Sequence, residues 1–227
     1  MGKYIVVGGS KGIGNAIVNN LLVNHEVINI SRTIPEYSHD NLTHYNCDVI
    51  SDDLPDINEA DGLVYCPGSI NLKPINRLSI DDFKNDFEIN VIGAVKTVQK
   101  YLPVLKNGAN PSIVFFSTVA SDLGMPFHAS VAASKSAVEG LTKSLGAELA
   151  PIVRVNAIAP TVTDTDLASK LLRNDRMIEN MKERHPLKKY LQPKEVADMA
   201  TFLLSEKAAS LSGQIFKMDC GITSFKI

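Results

Sequence analysis

The chain has no tryptophan, only three cysteines, and aromatic residues at 6% of its 227 positions. Cys47, Cys66 and Cys220 are scattered, odd in number and form no CxxC pair. That argues against a disulfide framework or a zinc site and for a reducing compartment, so no metal is expected and the cysteines read as small buried hydrophobes. Neither sign of charge is in excess: 23 basic residues stand against 25 acidic ones, a formal net charge of -2, and no stretch interleaves basic with aromatic residues. A nucleic-acid partner is therefore not expected. No apolar run approaches the ~18 residues that a membrane-spanning helix needs. The opening Met1-Gly2-Lys3-Tyr4-Ile5-Val6 lacks a signal-peptide pattern, and Val6 stands where an N-myristoylation signal needs Ser or Thr. A cytoplasmic protein is expected. Linkers, low-complexity tracts and internal repeats are missing too, which leaves residues 1–227 as one domain.

What is present is a regular alternation of short apolar runs with helical patterns. Strands are expected at Tyr4 to Val7, Glu26 to Ser31, Thr43 to Asn46, Gly62 to Tyr65, Ser112 to Ser117, Arg154 to Ala159 and Gln214 to Met218. Several are rich in Val and Ile with little alternation, as strands covered on both faces are. Helices are expected at Ile13 to Val23, Ser79 to Leu105, Ser130 to Leu149 and Pro193 to Leu204. The second carries Phe83, Phe87, Val91, Val95, Val98 and Leu102 as its stripe. The short, proline-containing segment from Ser31 to Thr43 leaves no room for a full crossover helix. The fold class that follows is α/β: a single-domain Rossmann fold with a doubly wound seven-stranded parallel sheet and helices on both faces.

Gly8, Gly12 and Gly14 lie in Gly8-Gly9-Ser10-Lys11-Gly12-Ile13-Gly14, between the first strand and the first helix. There, backbone N–H groups and the positive end of a helix dipole meet a pyrophosphate, and a Cβ would block the turn or the approach. The second strand ends in Ser31-Arg32, a hydroxyl followed by a cation, where an NAD site places an acid. With Lys11, Arg32 is suited to a 2′-phosphate, so NADP(H) is favoured over NAD(H).

The spacing Gly8-x-x-x-Gly12-x-Gly14 resembles the TGxxxGxG signature of the short-chain dehydrogenase/reductase family, with Val7 in place of its threonine. Asp48-Val49 resembles the family's adenine-contacting pair, and Asn90 in Ile89-Asn-Val-Ile-Gly93 its relay asparagine. Asn156-Ala-Ile-Ala-Pro160 resembles its NxxxPG segment with Thr161 for glycine, and Ser212-Gly-Gln214 through Asp219-Cys-Gly221 its ending. The family's Asn-Asn-Ala-Gly turn reads Tyr65-Cys66-Pro67-Gly68 here. The resemblance implies cofactor contacts from Gly8, Ser10, Lys11, Gly12, Ile13, Gly14, Ser31, Arg32, Asp48, Val49, Gly68, Asn90, Lys135 and Pro160. Thr163 and Thr165 match positions that meet the carboxamide in relatives. It also implies a small-molecule substrate, a variable lid over about 165–190, and a homo-oligomer, tetramer or dimer.

The family's catalytic set is the weak point of the match. Asn90, Thr118 and Lys135 stand at its asparagine, serine and lysine positions, but Val131, four residues before Lys135, stands where the proton-transferring tyrosine belongs. Thr118 keeps a hydroxyl for a substrate carbonyl. His128 is the first substitute acid, three residues before Val131; bound water and, more weakly, Tyr65 are others. Two readings follow: an oxidoreductase of a small carbonyl or alcohol with a non-standard proton donor, or a catalytically inactive dinucleotide-binding sensor or partner subunit.

Overall fold

Continuous Val, Ile and Leu runs can be buried on both faces only when helices cover both sides of a sheet, and the computed structural model, which describes residues 1–225, has that arrangement. Seven parallel strands, β1 (Lys3–Val7), β2 (Glu26–Ser31), β3 (Leu42–Asn46), β4 (Gly62–Tyr65), β5 (Ser112–Phe116), β6 (Arg154–Pro160) and β7 (Ile215–Met218), lie in the order β3-β2-β1-β4-β5-β6-β7. The order reverses beside β1, and the loops at the strands' C-terminal ends meet there. No helix separates β2 from β3, as the short connection predicts.

Two cores flank the sheet. One face packs Ile5, Leu63 and Ile113 against α3 (Gly93–Leu105) and α4 (Ala129–Leu149); the other packs Val6, Val64 and Val114 against α1 (Gly12–Leu22) and α6 (Pro193–Leu204). α1, α4 and α6 agree with the sequence-based bounds to within a residue. Arg154, buried at the start of β6, donates to the carbonyls of Leu203, Ser205 and Ala208 and so ties β6 to the end of α6 and the turn after it.

The long helix expected over Ser79 to Leu105 is instead two helices. α2 (Ile80–Phe87), opened by a reciprocal Ser79–Asp82 capping box, passes into a π turn at Glu88–Ile92 before α3 begins. The cause is a buried tyrosine: Tyr65 Oη donates to the carbonyl of Ile89 at 2.7 Å. It fits because Gly93 has no side chain, since an ideal Cβ there would lie 2.1 Å from that oxygen. The extra residue in the turn rotates the upstream helix by about 100° relative to the expected stripe. Phe87 is consequently exposed, while Asp86 and Asn90 face inward. Gly93→Ala should destabilise the protein by about 1–3 kcal/mol through overpacking. Adding Tyr65→Phe should recover a large part of that loss in a denaturant-melt double-mutant cycle, because the clashing oxygen is gone.

Candidate functional site

At the end of β1 the chain turns through Gly8 at φ +79° and Gly12 at φ +53° before α1 starts. Gly14 is as constrained: a Cβ there would lie 2.2 Å from the carbonyl oxygen of Gly8. Among the described residues, none accepts a hydrogen bond from the backbone N–H groups of Ser10, Lys11, Gly12 or Ile13. These orphan donors at a helix N-terminus fit a pyrophosphate. The loop is held from below by Asn29, fully buried in β2, whose Oδ1 accepts from Gly9 N at 2.9 Å while its Nδ2 donates to Ser31 Oγ at 3.1 Å. The sequence signal for Asn29 is a lone amide inside the apolar run Val27-Ile28-Asn29-Ile30, and its partners appear only in the fold.

Beyond β2, Ser31 is buried and donates to Thr33 O, and Ser10 Oγ lies 2.7 Å from Thr33 Oγ1. The two cations read from the sequence are both exposed and each lies near a carboxylate, Arg32 at 3.8 Å from Asp48 and Lys11 at 3.6 Å from Asp166. Val49 is buried next to Asp48, whose Oδ1 accepts from Ile50 N at 3.0 Å.

A cavity of about 180 Å³ opens between this loop and the C-terminal ends of β4, β5 and β6. Ile13, Gly68, Thr118, His128, Val131, Lys135, Pro160, Thr163 and Thr165 all line it, so one cleft gathers from distant parts of the sequence the positions expected to serve cofactor and catalysis. Val131 and Lys135, one turn apart on α4, form part of its floor and are 4% and 8% exposed. Lys135 Nζ donates to the carbonyl of Phe116 at 2.9 Å. Burial pulls its ammonium down to about 8, against the opposing fields of Cys66 and Asp86, and burial pushes the neighbouring Cys66 thiol up to about 12.

Behind the floor runs a polar network. Asp86, with no exposed surface, accepts from Ser69 Oγ at 2.5 Å, from Asn71 Nδ2 at 2.9 Å and from Ser130 Oγ. Asn90, in the π turn, donates to Ser134 Oγ at 3.0 Å, which in turn donates to the carbonyl of Val131 at 3.1 Å. Asp86, Ser69 and Ser130 were not legible as a group, because they come together only through the π turn and the loop after β4.

Thr118 is the N-cap of a short 3-10 turn, Val119–Ser121, its Oγ1 accepting from Ala120 N at 3.3 Å. His128 occupies the N-cap position of α4, but its side chain makes no cap; Nδ1 lies 2.8 Å from the carbonyl of Pro126. Tyr65 does not line the cavity, and its phenol, pushed up by burial, is committed to Ile89 O. Thr163 and Thr165 precede a three-residue 3-10 turn, Asp166–Ala168, rather than a full helix. The segment 165–190 supplies Leu167, Ala168 and Leu171 to the cavity, then forms α5 (Asp175–Glu183). Its end is anchored by buried His185, whose Nε2 lies 2.7 Å from Thr161 Oγ1 and whose Nδ1 lies 2.7 Å from Met181 O. That pairing gives a physical reason for a threonine at 161.

Among the described residues, no helix is long and apolar enough to cross a membrane. Residues 47–223 match the family model described as enoyl-(acyl carrier protein) reductase. The chain is 28% identical to 2,5-dichloro-2,5-cyclohexadiene-1,4-diol dehydrogenase of Sphingobium indicum, over 98% of each. It is 27% identical to carbonyl reductase [NADPH] 2 of Sus scrofa, over 96% of this chain and 95% of that protein. A solved structure of a short chain dehydrogenase family protein from Francisella tularensis superposes with a TM-score of 0.89 at 30% identity, covering 99% of this chain and 100% of that one.

Asn29→Ala should leave Gly9 N unpaired in a dry site and destabilise the fold by about 1–3 kcal/mol in a urea melt.

Proposed function

Since the chain belongs to the short-chain dehydrogenase/reductase family, we propose that it is an NADP(H)-dependent oxidoreductase acting on a small carbonyl or alcohol, with a proton donor other than tyrosine. The observation that carries this reading is the row of orphan N–H groups at Ser10 to Ile13 opening onto the cleft that contains Thr118 and Lys135. Bound nicotinamide supplies or accepts hydride at its C4. The glycine loop holds the pyrophosphate, Asp48 and Val49 the adenine, and Lys135 the nicotinamide ribose. Gly68, Pro160, Thr163 and Thr165 border the nicotinamide and its carboxamide. Asn90 supports the floor, and Thr118 orients the substrate carbonyl by a hydrogen bond from its hydroxyl. Ile70, Met125, Val131, Leu167 and Leu171 make the substrate side of the cavity apolar, which suits a small apolar carbonyl compound.

Preference for the 2′-phosphate follows from charge: β2 ends in Ser31 with Arg32 next, so the strand itself supplies a hydroxyl and a cation where an NAD site has an acid. The porcine relative is named for NADPH, in line with this assignment. Ile80, Phe87 and Ile92, exposed around α2 and the π turn, give apolar surface for the homo-oligomer expected of the family, a dimer or tetramer.

Fluorescence titration should give a Kd for NADPH at least about tenfold below that for NADH, and Arg32→Asp should erase that advantage, a change worth about 1.4 kcal/mol. Turnover is read with a panel of small carbonyl compounds. NADPH binding without oxidation across that panel would favour the inactive sensor or partner reading. Val131→Tyr restores a phenol one turn before Lys135 and should raise kcat by about tenfold or more, within the ~10² to 10⁴ that a positioned acid contributes.

A further inference from the structure

Few groups in the cleft are able to carry the proton that a carbonyl oxygen must receive. Thr118 offers an alcohol, a very weak acid. Burial pushes the Cys66 thiol up to about 12. Tyr65 lies outside the cavity, bonded to Ile89 O, and His128 sits at the N-cap of α4 with Nδ1 against Pro126 O. Thr118, Cys66 and His128 share the cavity with Lys135, which differs from them in carrying three N–H bonds as an ammonium. Lys135 lines the cleft, and its Nζ lies 3.4 Å from where a Cβ on Gly68, another lining residue, would stand. Of its three N–H bonds as an ammonium, one is used among the described residues, on Phe116 O.

We propose that Lys135 is itself the general acid of this chain: its Nζ–H bond breaks toward the substrate oxygen, directly or through one water, as hydride from the reduced nicotinamide reaches the carbonyl carbon. The C=O π bond opens, the carbon gains hydride, the oxygen gains the lysine proton, and the products are an alcohol, oxidised cofactor and a neutral amine that solvent reprotonates. Alcohol oxidation is the same step reversed, with the neutral amine accepting the proton. The proposal rests on the oxidoreductase reading above and deepens it.

Val131 makes the assignment coherent. The side chain one turn before the lysine is short and apolar, so it neither intercepts the proton nor hydrates the ammonium. Burial pulls Lys135 down to about 8, near the working pH at which a general acid is most effective. The ionisable groups around it are few. Cys66 faces it from the loop after β4, and Asp86 from α2, held by Ser69, Asn71 and Ser130. On its own helix, Glu139 accepts from Ser117 and Ser121 hydroxyls, and His128 precedes the first turn. Phe116 and Asn90 are uncharged.

The test has one arm that needs no turnover. In protein labelled with ¹³Cε,¹⁵Nζ-lysine, the resonance lost in Lys135→Met should titrate with a midpoint near 8; a midpoint near the ~10.4 of an ordinary lysine would overturn the proposal. In the kinetic arm, reductive kcat/KM should be level below the lysine midpoint and fall tenfold per pH unit above it. Lys135→Arg keeps a cation that does not release its proton, so kcat should fall by about 100-fold or more and the alkaline limb should vanish. NADPH affinity is measured in parallel by fluorescence, because Lys135 also holds the ribose, and the variants are compared at saturating NADPH so that the readout is the shape of the pH profile. Should the arginine variant not fold, Lys135→Met, close in length, must show the same loss of the limb. A limb that survives both substitutions, or that disappears in His128→Ala instead, would overturn the role of Lys135 and leave the oxidoreductase reading standing. NADPH binding by the wild type without reduction of any carbonyl would overturn both.

Discussion

A carboxylate taken out of water has to be met by donors, and at Asp86 that requirement organises the functional end of the molecule. Three hydrogen bonds, from Ser69, Asn71 and Ser130, bring the loop after β4 and the first turn of α4 onto α2. Asn90 extends the same arrangement through Ser134 to the backbone of Val131. The floor of the cleft is therefore set by polar pairing as much as by apolar packing, and Lys135 stands on a helix whose position is fixed at both faces. The same carboxylate is one of the two groups whose field opposes the desolvation of that lysine.

A valine at the position where the family resemblance implies a tyrosine does more than omit a phenol. It leaves an apolar wall next to a desolvated ammonium, in a cavity whose other polar side chains are hydroxyls, the Cys66 thiol and the His128 imidazole. Electrostatic consequences are larger in a dry pocket than they would be at the surface, where solvent would screen them. The departures at Val131 and Thr161 also differ in kind. Thr161 is absorbed by a structural partner, His185, whereas Val131 lines the cavity as an apolar side chain.

Much of this was legible beforehand, and the reasons are local. Strands buried on both faces advertise themselves by unbroken Val and Ile runs, and glycines that must adopt positive φ or admit a close backbone, such as Gly8 and Gly14, are confined to one residue type. The misreading of Ser79 to Leu105 as one helix has an equally definite cause. A period of 3.6 can be counted along a chain, but a π turn depends on Tyr65 reaching Ile89 from another strand, and no window of sequence contains both. Asn29 and Asp86 are illegible in sequence for the same reason: a buried polar residue looks like a surface one until its partners are present.

By itself, then, the sequence determined the α/β class, the strand and helix succession, the glycine loop and the absence of a phenol at position 131, because each is written in periodicity, backbone permission or the identity of one side chain. Tertiary structure alone decided the break before α3, the buried pairing of Asp86, the commitment of Tyr65 to a carbonyl and the desolvation of Lys135. Those properties belong to groups far apart in the chain, and hydrogen bonding and burial act on distances in space that only the folded sheet and its crossovers create.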